Sequence, residues 1–505
     1  MERKRMDRKV EVGLGSSMGA RGDSFVLGRA AAQQALSKIT INDPSLVLVF
    51  ASVKYNLQEM LRGIRTVTKE TPLIGTTTAG EIADRFHEGT IVVLILASPH
   101  LQAAIGVGER VSEDPQQSVD EAITKCGLDK YLTPKSVWEK MGGFHLKKQN
   151  DTLAIMFSPG STKVTPSPSQ TILGILKRKT QNRLPVFGGS SGDNLTFEQN
   201  YQFANARVLT DSVALCIIET ELKFGLAVDH GFTPTDRKAI VTKAEGHRVI
   251  DFDQRPAAHV YAEMTRKTVD ELRRQREHLT QYTKTPLGQC TDYGEYVLKV
   301  PDFILDDNSI VFTPLVFENT VLTLMEGSRE KVLAAAENAV EKAIIRGRIE
   351  DPALVLLFSC VLRRILFENE ASREVAIVKR EVGQTPVAGF YTYGEQNMSD
   401  NNVLTYYNES ASVLVFGNAL NDVARVNREN ERLYAQLQAT IVELERANEE
   451  MRRQAKELAR FNRLMVGREL KMVELKEEIR RLKAQLGEAP EEAGDEEMTC
   501  GKNEL

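Results

Sequence analysis

The chain has 505 residues, too many for one ordinary core, so two globular bodies plus something extended are expected. Hydrophobic residues at 42%, charged residues at 27% and a mean hydropathy of −0.29 exclude wholesale disorder and fit a soluble protein. A formal net charge of −5 offers no global positive field to gather a phosphate backbone, which argues against nucleic acid as a partner.

The chain opens on a basic cluster, Arg3, Lys4, Arg5, Arg8 and Lys9, which reads as a solvated tail without the apolar core of a signal peptide. "GLGSSMG" from Gly13 has the look of a nucleotide loop. It lacks the Rossmann spacing and the Lys-Ser/Thr of a P-loop, so a glycine-rich strand-to-helix turn suffices. Helical spacing of apolar residues predicts a helix over Phe25 to Lys38.

A pattern then begins that occurs three times: Asp, an apolar strand ending in Phe, and later a Pro followed by a glycine-bracketed turn. The first copy is "DPSLVLVFA" from Asp43 with "PLIGTTTAGE" from Pro72. The second is "DTLAIMFS" from Asp151 with "PVFGGSSGD" from Pro185, one residue shorter and ending in Asp193 instead of Glu. The third is "DPALVLLFS" from Asp351 with "PVAGFYTYGE" from Pro386. A strand of β-branched residues follows each turn, from Thr90, Ser212 and Ser410, and these are expected to add antiparallel.

Residues 229–326 break the pattern, with a helix predicted from Pro256 to about Leu279 and short strands near Tyr296 and Val311; a further helix over Arg329 to Ile345 leads into the third copy. The apolar runs at Ile91 to Ala97 and Ala353 to Phe358 are far short of the ~20 residues of a membrane helix and read as buried strands, so no membrane insertion is expected.

From Leu420 apolar residues recur at alternating steps of three and four (Val423, Asn427, Asn430, Tyr434 and onward to Leu458), a heptad seam. Asn427 and Asn448 fall at a positions, where a buried asparagine favours a parallel, in-register pair, so a homodimeric coiled coil is predicted. The seam resumes at Phe461 and runs to Leu486. The two successive three-residue steps at Leu458 are a stammer that overwinds the coil locally. An acidic, disordered tail is expected beyond Gly487. The predicted fold is thus α/β, with mixed sheets and flanking helices in two internally repeated lobes, 10–228 and 229–417, then a coiled coil over 420–487 and a tail over 488–505.

Through "VGLGSSMG", "LVLVFAS" and "PLIGTTTAGEI" in the first half, and "ALVLLFSCVLRR" and "PVAGFYTYGE" in the second, the chain resembles FIST proteins (F-box and intracellular signal transduction) over about Val10 to Phe416. The resemblance implies a sensory input module for small ligands such as amino acids. Family members commonly continue into a kinase, cyclase or receptor domain. Here the output is expected on a separate protein, such as a histidine kinase.

Glycine turns at strand ends bring backbone N–H groups close to a ligand, and a carboxylate beside them can take an amino group. That logic, and the same motifs, nominate Gly75, Thr76, Thr77, Thr78, Gly80 and Glu81 in the first half and Gly389, Tyr391, Tyr393, Gly394 and Glu395 in the second. The competing reading has the glycines only shaping tight turns and the acids only capping them. Cys360 with Arg363 and Arg364 could form a thiolate or a carboxylate clamp, or Cys360 could be a small core residue.

The five cysteines and seven histidines show no metal-ligand spacing, and Ser190 and Ser191 in "GGSSG" lack a nucleophile-elbow consensus. Neither a metal, a cofactor nor a catalytic centre is predicted, and the scattered cysteines suit a reducing cytoplasm. The expectation is a cytoplasmic, non-catalytic sensor that transmits ligand state through a dimeric coil. A protein-binding scaffold and an unrecognised enzyme are the alternatives.

Overall fold

The computed structural model describes residues 8–129, 151–274 and 284–487. His145, His278, Cys500, the acidic tail, the first residues of the basic cluster and the end of the helix predicted to Leu279 lie outside them.

The repeat seen in the sequence is a repeat of structure. The first copy comprises β1 (Glu11–Ser17), α1 (Ser24–Leu36), β2 (Leu46–Ala51), α2 (Leu57–Thr68), β3 (Leu73–Thr77), β4 (Glu81–Ala83), β5 (Phe86–His87) and β6 (Ile91–Ala97). The second follows the same order: β7 (Leu101–Glu109), α3 (Pro115–Lys125), β8 (Asp151–Ser158), α4 (Ser169–Lys179), β9 (Val186–Ser190), β10 (Gln202–Ala204), β11 (Arg207–Leu209) and β12 (Ser212–Thr220).

The third copy starts at β13 (Leu222–Asp229) and is interrupted by an eight-stranded sheet, β14 (Thr233–Glu245) to β21 (Val321–Glu326), which packs on α5 (Ala257–Thr265) and α6 (Val269–Arg274). It resumes with α7 (Arg329–Arg346), β22 (Pro352–Cys360), α8 (Val361–Phe367), α9 (Ala371–Val382), β23 (Val387–Thr392), β24 (Glu395–Met398), β25 (Leu404–Tyr407) and β26 (Ala411–Leu420).

Each copy builds a six-stranded sheet around one parallel pair: β2 with β3, β8 with β9, and β22 with β23. The strands predicted to add antiparallel do so, β6, β12 and β26 each lying beside the first member of its pair. The short hairpin after each glycine turn does not stay at home. β4–β5 joins the third sheet beside β23, β10–β11 joins the first beside β3, and β24–β25 joins the second beside β9. This exchange is cyclic, so no sheet is complete without a neighbour's hairpin. Where the sequence suggested two lobes, the residues to Arg425 form one compact unit, because the exchanged strands cross the division at 228 in both directions.

β2 and β6 are apolar from end to end since both faces are covered; all six residues of β2 and all seven of β6 are buried. At the centre the terminal phenylalanines of the three motifs meet: Phe50, Phe157 and Phe358, with ring centroids 5.6–6.1 Å apart. Phe390 stacks on Phe50 at 5.1 Å and Phe187 on Phe358 at 4.3 Å. All five rings are fully buried.

Helices close on the outer strands through glycine. A Cβ on Gly15 would lie 2.0 Å from the Ala31 carbonyl oxygen, on Gly106 1.9 Å from that of Ala122, and on Gly225 1.8 Å from that of Ala343. The "GLGS" run is therefore part of strand β1, against which α1 packs, and the predicted strand-to-helix turn is confined to the residues after Ser17.

The helix α10 spans Asp422–Gln485, 64 residues, and from Val426 on it forms a second unit. Its seam positions, among them Leu437, Ile441, Leu444, Met451 and Leu458, are exposed in the single chain.

Replacing a fully buried Phe ring by a methyl group typically costs about 3–5 kcal/mol. Phe358→Ala is expected to lower stability by that order, measured by urea unfolding. It should lower the unfolding midpoint of residues in all three sheets, since Phe358 touches rings from each copy.

Candidate functional site

The three glycine turns lie together at the C-terminal ends of the parallel pairs, in matching register. Val49 faces Gly75, Met156 faces Gly188 and Leu357 faces Gly389. The glycine is required because a Cβ there would sit 1.8–2.3 Å from the facing carbonyl oxygen. Gly80 and Gly394, with φ of +122° and +142°, let each chain leave its own sheet for the next.

Backbone hydrogen bonds then join the turns into a ring. Ala79 N–H donates to Tyr391 O (2.9 Å) and Tyr391 N–H to Gly80 O (2.8 Å), tying the first turn to the third. Tyr393 N–H donates to Ser190 O (3.1 Å) and Ser190 N–H to Gly394 O (2.8 Å), tying the third to the second. Gly192 N–H donates to Thr77 O (2.9 Å) and Asn194 N–H to Thr78 O (3.0 Å), which closes the ring.

The nominated turn residues are brought together by this ring and all are buried, Glu81 and Glu395 completely. Glu81 accepts from the Thr78 hydroxyl and from Thr90 N–H at 2.8 Å. Glu395 accepts from the Thr392 hydroxyl at 2.5 Å and from the Ser410 N–H and hydroxyl at 3.3 and 2.8 Å. Each glutamate thus holds its own turn to the strand that follows. Burial outweighs these bonds and pushes the Glu81 carboxyl up to about 7 and that of Glu395 up to about 8.

Strand register shows a correspondence that residue order hides. Glu81 faces Phe390, Glu395 faces Gly189 and Gln202 faces Thr76, in each case the residue after the shared glycine. The second copy's counterpart of the two glutamates is therefore Gln202, and Asp193 instead opens an insertion running to Tyr201. The Asp193 carboxylate organises that insertion. It accepts from the Thr196 hydroxyl (2.7 Å), from the N–H groups of Phe197, Glu198 and Gln199 (2.9, 2.6 and 3.0 Å), and from the Tyr393 hydroxyl (2.5 Å).

Tyr391 donates to Glu374 Oε2 at 2.7 Å. Glu374 also takes the fully buried Arg363 at 2.5 Å, an ion pair that keeps an otherwise costly buried guanidinium charged. Cys360 is buried beside them, and desolvation with the nearby Glu395 raises its thiol pKa, which suits a core residue better than a thiolate. Glu409 is fully buried at φ 54°, and neither carboxyl oxygen has a hydrogen-bond partner among the described residues. Burial raises its pKa well above the usual range, against the opposing pull of Arg363.

Arg364 is the nominated side chain nearest solvent. From the third copy it reaches the first copy's turn, donating to Ala79 O at 2.6 Å, and it pairs with Glu88 (2.9 Å) and Asn194 Oδ1 (3.0 Å). Residue spacing marked Asp193 as the end of the second turn but did not point to Glu88, Asn194 or Glu409, which the fold brings beside the turns.

Ser190 and Ser191 bond to hydroxyls and side-chain amides: Ser190 to Ser169 and Gln396, Ser191 to Thr76 and Gln202. Surface hollows of 480, 360 and 250 Å³ lie beside α3, beside Arg65 and Lys69, and beside Arg346, and no turn residue lines them. Among the described residues no cluster of three or more His, Cys, Asp or Glu could hold a metal ion, and no helix is long and apolar enough to cross a membrane.

Residues 45–255 match the FIST N domain and residues 257–398 the FIST C domain. An uncharacterized protein of Methanocaldococcus jannaschii is 27% identical over 350 residues, which is 67% of this chain and 64% of that protein, so the chain spans less than two thirds of its relative. Among solved structures, a cyanuric acid hydrolase aligns with 81% of this chain and 100% of its own at 9% identity and a TM-score of 0.31. That of A. caulinodans aligns with 42% and 71% at 9% identity and a TM-score of 0.24. At those scores the likeness carries neither fold nor activity to this chain.

A carboxyl whose pKa is raised on folding stabilises the folded state fully below its unfolded value and loses that contribution as pH rises through the folded one. For Glu81 and Glu395 the loss falls between the ordinary value of 4.5 and about 7 and 8. Stability is therefore expected to decline from about pH 5 to about pH 8 by this linkage. Glu395→Gln, which keeps the shape of the neutral acid, should flatten the decline, measured as the urea midpoint against pH.

Proposed function

The chain belongs to the FIST family, and on that premise we propose that it is a non-catalytic sensory protein of a signal-transduction system. A small ligand bound by the three-copy unit alters the packing of the copies, and a parallel homodimeric coiled coil formed by α10 reports the change to a separate output protein in the cytoplasm, such as a histidine kinase.

The observation that carries this reading is how α10 is rooted. Just ahead of the helix, Asn418 Nδ2 donates to Asp351 Oδ2 at 3.1 Å and Asn418 N–H to Asp351 O at 2.8 Å. Asn421 Nδ2 donates to Asp151 Oδ2 at 2.8 Å, Asn421 N–H donates to Glu221 O at 2.7 Å, and Asn421 Oδ1 caps the helix by accepting from Ala424 N–H at 2.7 Å. Asp151 and Asp351 stand at the start of strands whose far ends lie beside the turn ring, Ser158 O accepting from Ser191 N–H at 2.9 Å and Cys360 facing Thr392. A change in strand packing at the ring thus has a bonded route to the first turn of the helix. The exposed heptad seam, too apolar to stay in water over so many turns, supplies the dimer interface.

Such a ligand must prefer one packing. Moving a two-state equilibrium from about 1:99 to 99:1 takes roughly 5.5 kcal/mol of differential affinity, which affinity alone does not supply.

A thermal-shift panel of amino acids, other carboxylates, amines and nucleotides tests the sensor reading: at a hundred times its Kd a ligand adds ~2.7 kcal/mol of stability. A shift confined to one chemical class supports it, and silence across the panel favours a scaffold. Sedimentation analysis tests the coil. The chain should be a dimer, and Ile441→Glu with Leu444→Glu should make it a monomer while leaving the unit up to Arg425 folded.

A further inference from the structure

The insertion that opens at Asp193 has no counterpart in the other copies, whose chains pass straight from the glycine turn into β4 or β24. Three of its residues that are not glycine have positive φ: Asn194 (55°), Leu195 (68°) and Phe197 (51°). Leu and Phe seldom adopt this conformation, so surrounding bonds must hold it. Those bonds come from the Asp193 carboxylate, from Tyr393 and from the backbone of Lys163. The Tyr393 hydroxyl accepts from Leu195 N–H at 2.7 Å, and its ring stacks on Phe197 at 4.7 Å. Lys163 N–H donates to Phe197 O at 2.7 Å.

Asn194, the first residue after Asp193 in the segment, meets Arg364. Its guanidinium is 15% exposed, sits over the Phe86 ring at 5.3 Å and is fixed to the turn ring through the Ala79 carbonyl. Its other partners are exchangeable. Glu88 stands in a side chain 50% exposed, and Asn194 belongs to the insertion itself, where its amide also donates to Glu88 at 3.1 Å. Despite partial burial, Arg364 and Asn194 hold the Glu88 carboxyl below its usual range, so this guanidinium already carries a carboxylate. A planar guanidinium matches a carboxylate with paired N–H donors.

We propose that residues 194–199 are a strap over a carboxylate-binding site centred on Arg364, and that release of the strap lets the carboxylate of a small ligand replace Glu88 and Asn194 on the guanidinium. The proposal rests on the small-ligand reading above and adds the place and the chemical class. All three copies contribute: Arg364 from the third, Ala79, Phe86 and Glu88 from the first, and the strap from the second. A ligand here would touch the turn ring where the first copy meets the third.

The test is phenylglyoxal labelling of Arg364 in the full chain, read by peptide mass spectrometry against the exposed Arg62 as internal standard. Tyr393→Phe removes the hydroxyl that joins the strap to Asp193 but keeps the ring, and Asp193→Asn weakens the same anchor independently. Losing one such buried hydrogen bond is worth roughly a tenfold shift in a local opening equilibrium, and the Tyr393 hydroxyl makes two, so labelling of Arg364 should rise at least about tenfold in either variant. Acetate and glycine should then protect Arg364, and ammonium chloride should not.

Faster amide exchange at Phe197 to Gln199 with unchanged Arg364 labelling would overturn the strap. Faster labelling that neither acetate nor glycine slows would overturn the carboxylate site. Either result leaves the sensor reading to be decided by the thermal-shift panel, where a ligand acting elsewhere still raises stability.

Discussion

Everything in the unit up to Arg425 depends on three aromatic rings that must meet. Phe50, Phe157 and Phe358 come from strands more than a hundred residues apart in sequence, and each lies within about 6 Å of the other two. They can do so only if the three parallel pairs converge with the same register. Within each pair a Cβ on the shared glycine would strike the facing carbonyl oxygen of the neighbouring strand. The hairpin exchange then satisfies each sheet's otherwise open edge with a neighbour's strand.

On this near-symmetric frame the copies differ where chemistry could be placed. In the first copy the Tyr55 hydroxyl donates to the Gly89 carbonyl at 2.7 Å, just before β6. The corresponding positions of the third copy are Arg363 and Glu409, two buried ionisable groups in place of a phenol and a glycine. The second copy has its insertion instead. A repeat that served stability alone would have no need of a buried acid without a hydrogen-bond partner among the described residues or of leucine and phenylalanine at positive φ. These departures gather around the turn ring, the end of the unit opposite the root of α10.

Much of this was legible in the sequence. The three motifs, the strands from Thr90, Ser212 and Ser410, and the helices at Phe25 and Arg329 are set by local periodicity, and the structure has each of them. The 64-residue helix was equally plain from its seam, whereas its pairing is a property of two chains. That the two halves share strands and cluster as one unit was not legible, because which sheet a short hairpin joins depends on packing between copies and leaves no mark in local spacing. For the same reason Asp193 looked like the equivalent of Glu81 and Glu395, when the pairing of β10 with β3 gives that place to Gln202. The nominated turn residues do cluster, but their polar side chains are taken up by bonds within the unit, to Ser191, Thr90, Glu374, Asp193 and Ser410 among others, and the more exposed chemistry at Arg364 and Glu88 required the fold to bring it together.

The central claim is that the three copies form one cooperative body, since only then can an event at the turn ring reach the root of the helix through shared strands. Native-state hydrogen exchange of the full chain, followed over low urea concentrations, tests this at Phe50, Phe157 and Phe358. The account predicts that these three amides exchange through one opening, with the same free energy and the same dependence on urea. If Phe50 instead opens at a clearly lower free energy and with a smaller urea slope than Phe358, the first copy unfolds by itself and the account is contradicted.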